Sequence, residues 1–388
     1  ALEALIGAPG DYTSLPDQDL PSVAIHPDDE ATLFYTSGTT GAPKGALGTH
    51  RSALTGSLAN AFSTHRSCLR RGEEPPPSRP RIALTVIPLF HVTACNASLM
   101  STMMTGSKLV MMRKWDAVEA MALIEREKVT VTGGVPTIAW QLIEHPDRPK
   151  YDLSSLESVA YGGAPAAPEL VRLIDSDMHV SPSSGWGMTE TSATVTTHAG
   201  EDYVHRPDSC GPALPVSDIR IMALDGAHEM PVGEVGELWA FGPQVVKGYW
   251  RNPEATAATF FDGWVRTGDL ARVDAEGFCY IVDRAKDIVI RGGENIYCIE
   301  VENCLYAHPA VTDAALIGLP HRILGEIPAA IVHLAPGQEA SEAVLQAWVR
   351  ARLAPFKVPE RIHVCPTPLP RNANGKIIKA ELRGFFDS

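Results

Sequence analysis

From Thr32 onward, short apolar runs alternate with stretches of helical period, and this alternation constrains the fold more than any other feature of the chain. The runs "ATLFYTSG" (31–38), "RIALTVIPLFH" (81–91), "SKLVMM" (107–112), "KVTVTGG" (128–134) and "LESVAYGG" (156–163) predict strands. Between them "WDAVEAMALIEREK" (115–128) predicts a helix, with Asp116 as N-cap and Glu119 completing a capping box. "PTIAWQLIEHP" (136–146) and "APELVRLIDSDM" (167–178) predict two more, Pro168 suiting a first helical turn. Such βα units imply an α/β fold with a largely parallel sheet. "RRGEEPPPSRP" (70–80) suits only a surface loop.

The character changes after about residue 210. "SDIRIMAL", "GEVGELWAFG" and "ARVDAEGFCYIVDR" read as strand-turn-strand patterns of a β-rich subdomain. From about residue 287 a small α+β unit follows: "DIVIRGG" as strand, "IEVENCLYAHP" as helix, "DAALIGL" and "PAAIVHLA" as strands, "SEAVLQAWVRARLA" as helix. The useful boundary is "DRAKD" (283–287), which divides the chain into a large unit over 1–284 and a small one over 285–388.

Composition sets the outer limits. A chain of 388 residues with 45% hydrophobic and 20% charged residues has ample material for a core without disulfides. A net charge of −13 argues against a general nucleic-acid binder, which shows a basic balance or stripe. Seven scattered cysteines without C-x-x-C spacing read as free thiols of a reducing compartment. No apolar run approaches the roughly 18 residues of a membrane span. Cytoplasm is the default expectation, and the oligomeric state stays open, a homodimer being one option.

"YTSGTTGAPKG" (35–45) carries the first chemical signal. Glycines let a backbone approach phosphate oxygens closely, and hydroxyls and N–H groups donate to them. The P-loop ending Gly-Lys-Ser/Thr is absent, since Pro43 precedes Lys44 and Gly45 follows it. The competing reading is a flexible Gly/Thr surface turn.

"TSGTTGAPKG" resembles the phosphate loop of the adenylate-forming superfamily of acyl-CoA synthetases, amino-acid adenylation domains and firefly-type luciferases. Further segments resemble that family in the same order: "PLFH" (88–91), "GGAP" (162–165), "GWGMTET" (185–191), "GWVRTGD" (263–269), "DRAKDIVIRGGENIY" (283–297) and "PRNANGKIIK" (370–379). The family usually has over a hundred residues before its phosphate loop and this chain has about 35, so it is read as lacking the first N-terminal subdomain.

The resemblance implies a set of roles. Thr36, Ser37, Gly38, Thr39, Thr40, Gly41 and Lys44 would hold the ATP phosphates. Gly162, Gly163, Ala164, Pro165, Gly185, Trp186, Gly187 and Met188 would surround the adenine, with Trp186 stacking where the family usually has Tyr. A buried core Trp is the alternative there. Asp269, with Ile281 and Arg284 beside it, would bind the ribose; taken alone, Asp269 is a turn aspartate. Thr189 would donate to the α-phosphate and Glu190 would coordinate Mg²⁺, a hard oxygen for a hard cation. His91 would sit at the acyl-pocket mouth, although a lone histidine is usually a core-edge residue.

Lys286 would be the hinge, and Gly292, Gly293 and Glu294 would line the CoA tunnel. Lys376 would be the principal catalyst, offsetting charge where a carboxylate meets the α-phosphate. The implied function is ATP-dependent acyl-CoA synthesis from a carboxylic, in the first place fatty, acid, with ATP, Mg²⁺ and CoA. Amino-acid adenylation domains typically carry an aspartate just after the pocket aromatic, whereas His91, Val92 and Thr93 follow Phe90 here. A domain loading a carrier protein and an inactive nucleotide-binding fragment are the competing readings.

Overall fold

The structure, a computed structural model, describes residues 22–36, 43–75, 77, 79–134, 136–162, 168–372 and 376–386. A six-stranded sheet lies at its centre, in the order Lys108–Met111, Ile82–Thr85, Val131–Gly134, Ser158–Tyr161, Ser181–Trp186, Thr196–Ala199. All neighbours are parallel except the last pair. The helix Ala117–Glu127 buries Ala120, Met121, Leu123 and Ile124, an i, i+3, i+4 stripe facing the sheet. Pro168–Ser176 does the same with Leu170, Val171 and Ile174. These side chains meet Leu84, Leu142 and Val159 in one core. Burial of each large one is worth about 1.5–3 kcal/mol against exposure. Asp116 accepts from Glu119 N at 2.8 Å, but no bond returns from the Glu119 side chain, so only half of the expected capping box forms.

Three elements depart from the sequence pattern. Glu30–Tyr35 does not join the parallel sheet; it pairs antiparallel with Gly45–Thr49, which pairs in turn with Gly248–Tyr249. "RIALTVIPLFH" is a strand only over Ile82–Thr85, and the chain beyond it turns into a π-helix at Thr93–Met100. The 22-residue helix His50–Arg71 had no usable signal in the sequence. It buries Ala53, Ser57, Ala59 and Ser63 and exposes Leu54, Leu58, Phe62 and Leu69, the reverse of a normal amphipathic stripe. Small residues allow close approach to the π-helix, where Ser57 Oγ donates to Asn96 O at 2.8 Å. The helix runs two residues into the expected 70–80 loop and ends at Gly72, whose φ of +73° suits glycine.

The β-rich part is an antiparallel sheet in the order Asp218–Met222, Gly236–Phe241, Trp264–Val273, Phe278–Arg284, Gly211–Pro212. The C-terminal unit has five strands: Glu294–Ile296, Val289–Arg291, Gly325–Leu334 and Val311–His321 in order, with Arg361–Cys365 parallel to Gly325–Leu334. Helices Cys298–Tyr306 and Glu342–Arg350 close its core through Val301, Leu305, Leu345 and Val349. All seven cysteines are free. No helix among the described residues is long and apolar enough to cross a membrane.

Candidate active site

Thr36 and Lys44, which flank the segment read as a phosphate loop, are tied to each other. Thr36 N donates to Lys44 O at 2.8 Å, and Lys44 N donates to Thr36 Oγ1 at 3.3 Å. Ser37, Gly38, Thr39, Thr40 and Gly41 lie outside the described residues. The short strand Gly248–Tyr249 braces the returning strand, with Trp250 N donating to Gly45 O at 2.7 Å. The Lys44 ammonium stands 4.3 Å over the Tyr249 ring.

Beyond Ser181–Trp186 the chain reverses at Gly187, where an added Cβ would lie 1.5 Å from Ala193 O. Only glycine fits that approach. The reversal leads into the 3₁₀ turn Thr189–Thr191, which buries Glu190 to 6% exposure. The Tyr249 hydroxyl donates to Glu190 Oε1 at 2.6 Å, and Val246 N donates to Glu190 O at 3.0 Å. Sequence reasoning missed Tyr249, because "KGYW" carries neither periodicity nor a titratable pattern. Gly162, at the end of Ser158–Tyr161, donates from its N–H to Gly134 O, while Gly163, Ala164 and Pro165 lie outside the described residues.

Asp269 and Arg284 are register partners on adjacent strands. Arg284 Nε lies 3.4 Å from Asp269 Oδ1, and the Trp186 indole N–H donates to Oδ2 at 2.8 Å. Burial raises the Asp269 carboxyl above its ordinary range, and Arg284 and Trp186 oppose that shift. Trp186 is half-buried and also packs on the cluster of Cys210, Ile221, Leu238, Ala271 and Cys279. It is therefore neither a free stacking platform nor a plain core residue.

Lys376 comes from the C-terminal unit and lies half-buried in the cleft with the charges of Arg284, Asp269, Glu190 and Lys286 around it. Asn372 N donates to Lys376 O at 2.9 Å and Lys376 N to Asn372 Oδ1 at 3.0 Å, a reciprocal pair that ties the Lys376 backbone to Asn372. Desolvation, then Arg284, lowers its ammonium pKa, and Asp269 and Glu190 pull it back up. Burial, then the Lys376 charge, lowers the His91 pKa. His91 Nδ1 accepts from Thr93 N at 3.2 Å, which puts the neutral ring's proton on Nε2. Burial likewise lowers the Lys286 pKa, with Arg284 next.

One cleft of about 1930 Å³ gathers Thr36, Lys44, His91, Gly162, Gly185, Trp186, Gly187, Met188, Thr189, Glu190, Asp269, Ile281, Arg284, Lys286 and Lys376. Gly292, Gly293 and Glu294 are not on its wall. Gly292 and Gly293 form the turn between Val289–Arg291 and Glu294–Ile296, where φ values of +59° and +92° already demand both glycines, and Glu294 opens the second strand. No cluster of three His, Cys, Asp or Glu side chains suited to a metal occurs among the described residues. A single buried carboxylate at Glu190 still fits Mg²⁺, which keeps several waters and takes phosphate oxygens alongside one or two carboxylates.

The family model described as AMP-binding enzyme matches residues 3–250, and that of the AMP-binding enzyme C-terminal domain matches 300–376. A feruloyl-CoA synthase from Amycolatopsis is 37% identical over 383 residues, covering 98% of this chain and 75% of its own length. A long-chain-fatty-acid–CoA ligase from Bacillus subtilis is 38% identical over 355 residues, covering 91% of this chain and 61% of its own length. The solved o-succinylbenzoate coenzyme A synthetase of Bacillus subtilis, in complex with ATP and magnesium ion, superposes with a TM-score of 0.80 at 32% identity. That match covers 96% of this chain and 74% of the other.

Proposed function

The chain belongs to the AMP-binding enzyme family, and from that premise we propose that it is an ATP-dependent acyl-CoA synthetase. Its mixed α/β fold, with a large N-terminal part and a small C-terminal one, is the adenylate-forming fold. In the first half-reaction a substrate carboxylate oxygen attacks the ATP α-phosphorus, and pyrophosphate leaves with the electron pair of the broken P–O bond. In the second, the CoA thiol, losing its proton, attacks the acyl carbon and AMP leaves. No covalent bond to the enzyme is needed, so positioning and electrostatics carry the catalysis.

The observation that carries this reading is the arrival of Lys376 in a cleft already holding Asp269, Arg284, Glu190 and His91. Its ammonium offsets the charge that builds when two anions meet. Asp269, next to Arg284, accepts from the ribose hydroxyls, Trp186 borders the base, and Thr36 and Lys44 hold the phosphates. Glu190 would hold Mg²⁺, which supplies neutralisation of phosphate charge. Lys286 is the hinge between residues 1–284 and 285–388, and Gly292, Gly293 and Glu294 meet the CoA arm in the second step.

The acid is read as one with an apolar tail, first a fatty acid, because Ala97, Gly133, Gly134 and Gly162 on the cleft wall leave room for it. The similarity to a feruloyl-CoA synthase favours an aromatic acid as the second reading. The compartment is read as cytoplasm. The test is CoA-dependent AMP formation across a panel of fatty, hydroxycinnamic and amino acids. Turnover of a fatty or aromatic acid supports the reading; AMP formation confined to amino acids, or absent with every acid, overturns it.

A further inference from the structure

Tyr249 stands between two parts of the cleft that belong to different sheets and to distant stretches of sequence. Its backbone lies in Gly248–Tyr249, paired with Ala46 of the strand that returns from the phosphate loop. Its ring lies under the Lys44 ammonium at 4.3 Å. Its hydroxyl donates to Glu190 Oε1 at 2.6 Å, at the far side of the Gly187 reversal. The ring is fixed from a third side by Phe260, edge-on at 5.5 Å.

The geometry has a chemical consequence. A glutamate side chain has three torsions, and burial alone does not choose which oxygen it presents. The Tyr249 hydroxyl occupies Oε1 and leaves Oε2 without a hydrogen-bond partner among the described residues, on a side chain that lines the cleft. A carboxylate with one oxygen tied and the other free is set for a monodentate hard-cation contact. The same aromatic ring attracts the Lys44 ammonium to its face, at the neck of the phosphate loop.

We infer that Tyr249 is a positioning residue that holds Glu190 for the divalent cation of metal–ATP and, through its ring, holds Lys44 for the phosphates of the same nucleotide. This rests on the proposed ATP-dependent activity, and its two contacts are separable. The hydroxyl serves the metal, and the ring serves the lysine. A residue of purely structural importance would not divide in that way.

The experiment titrates Mn²⁺ into full-length protein with ATP present, reading bound metal by electron paramagnetic resonance, and titrates ATP without metal by calorimetry. Tyr249→Phe keeps the ring and its packing on Phe260, so metal-free ATP affinity stays at the wild-type level. Its Mn²⁺ affinity falls by roughly 10- to 100-fold, the usual cost of removing a partner that orients a metal ligand. Tyr249→Leu loses metal-free ATP affinity as well. Wild-type Mn²⁺ affinity in Tyr249→Phe, or in a Glu190→Gln control, overturns the inference, as does equal ATP loss in the Phe and Leu variants. Failure of the wild-type protein to form AMP from any acid counts instead against the proposed function, since the Mn²⁺ arm needs no turnover.

Discussion

The indole N–H of Trp186 donates to Asp269 Oδ2 across 2.8 Å, joining the end of the central sheet to the antiparallel sheet beside it. Arg284 approaches the other carboxylate oxygen at 3.4 Å, so both oxygens are engaged from the protein side. The carboxyl is largely shielded from solvent, and these two groups favour its charge against desolvation. Trp186 at this position therefore adds a donor as well as an aromatic face.

Two substitutions separate those contributions. Asp269→Ala is expected to weaken ATP and acyl-AMP binding alike, by about 1.5–3 kcal/mol for a hydrogen bond to a charged group, or roughly ten- to a hundredfold. Trp186→Phe keeps a ring but removes the donor, and the Asp269 carboxyl should then rise further. ATP affinity measured by calorimetry across pH should fall off at a higher pH in Trp186→Phe than in the wild type. Unchanged ATP affinity in Asp269→Ala removes that residue from the site.

How much of this was readable in the chain depends on the kind of signal. Strands and helices with a clear period, such as Val131–Gly134 and Ala117–Glu127, emerged from side-chain alternation alone. The helix His50–Arg71 did not, because close packing selected small residues for its buried face and left Leu58 and Phe62 outside. Glu30–Tyr35 looked like one more parallel strand, yet it pairs antiparallel with Gly45–Thr49 in a separate sheet. In the site, charged residues in ordered segments were legible, and the cleft gathers those that are described. Tyr249 was not, since its role comes from a contact with Glu190 that spans 59 residues of sequence. The glycines at 292 and 293 were legible as special, but the turn accounts for them in this conformation.

Acid sensitivity should have one identifiable source in His198. Its Nε2–H donates to Ser209 O at 2.8 Å, Nδ1 is buried without a partner, and the ring lies 4.2 Å from that of Tyr203. Burial pushes its pKa down to about 4, against smaller opposing effects of the Ser209 carbonyl and Asp202 and a reinforcing one of Arg206. A depressed histidine pKa means the unfolded chain takes the proton first. Its contribution is thus present above about pH 6.5 and is lost as pH falls toward 4, on the order of 3 kcal/mol in all. Denaturant midpoints between pH 7 and 4 should fall less steeply in His198→Gln than in the wild type, and parallel curves would refute the assignment.

Asp283, on the strand Phe278–Arg284, caps a helix of the C-terminal unit. The helix Cys298–Tyr306 receives no side-chain cap from Tyr297, and Cys298 N donates instead to Asp283 Oδ2 in a short hydrogen bond. Arg284 N donates to Oδ1 at 2.8 Å. Burial raises the Asp283 pKa to about 6, opposed by these N–H groups and by Lys379. Asp283→Ala should cost about 0.5–2 kcal/mol, the range for a lost cap, and speed amide exchange at Cys298–Val301 more than elsewhere. A raised carboxyl pKa means the folded state holds its proton longer, so wild-type stability from this group declines as pH climbs from about 4 through 6. The gap between wild type and variant should therefore be narrower at pH 7 than at pH 5.

Lys376 and the Gly292-Gly293 turn belong to the same C-terminal unit, yet only Lys376 is in the cleft. If the turn serves the second half-reaction, the unit must rotate about Lys286 after the acyl-adenylate forms, taking Lys376 away. Lys376→Ala should then slow adenylate formation by roughly 100- to 1,000-fold, the cost of losing one preorganised charge stabiliser. It should leave thioester formation from supplied acyl-AMP near the wild-type rate, because the lysine is absent from that step. Arg291, next to the turn, is tied to Glu360 at 2.8 Å within the unit, so the turn moves with it as a rigid part. Pyrophosphate release and CoA-dependent AMP release, measured separately, decide the matter. Equal slowing of both by Lys376→Ala places the lysine in both steps and rules out the rotation for this chain.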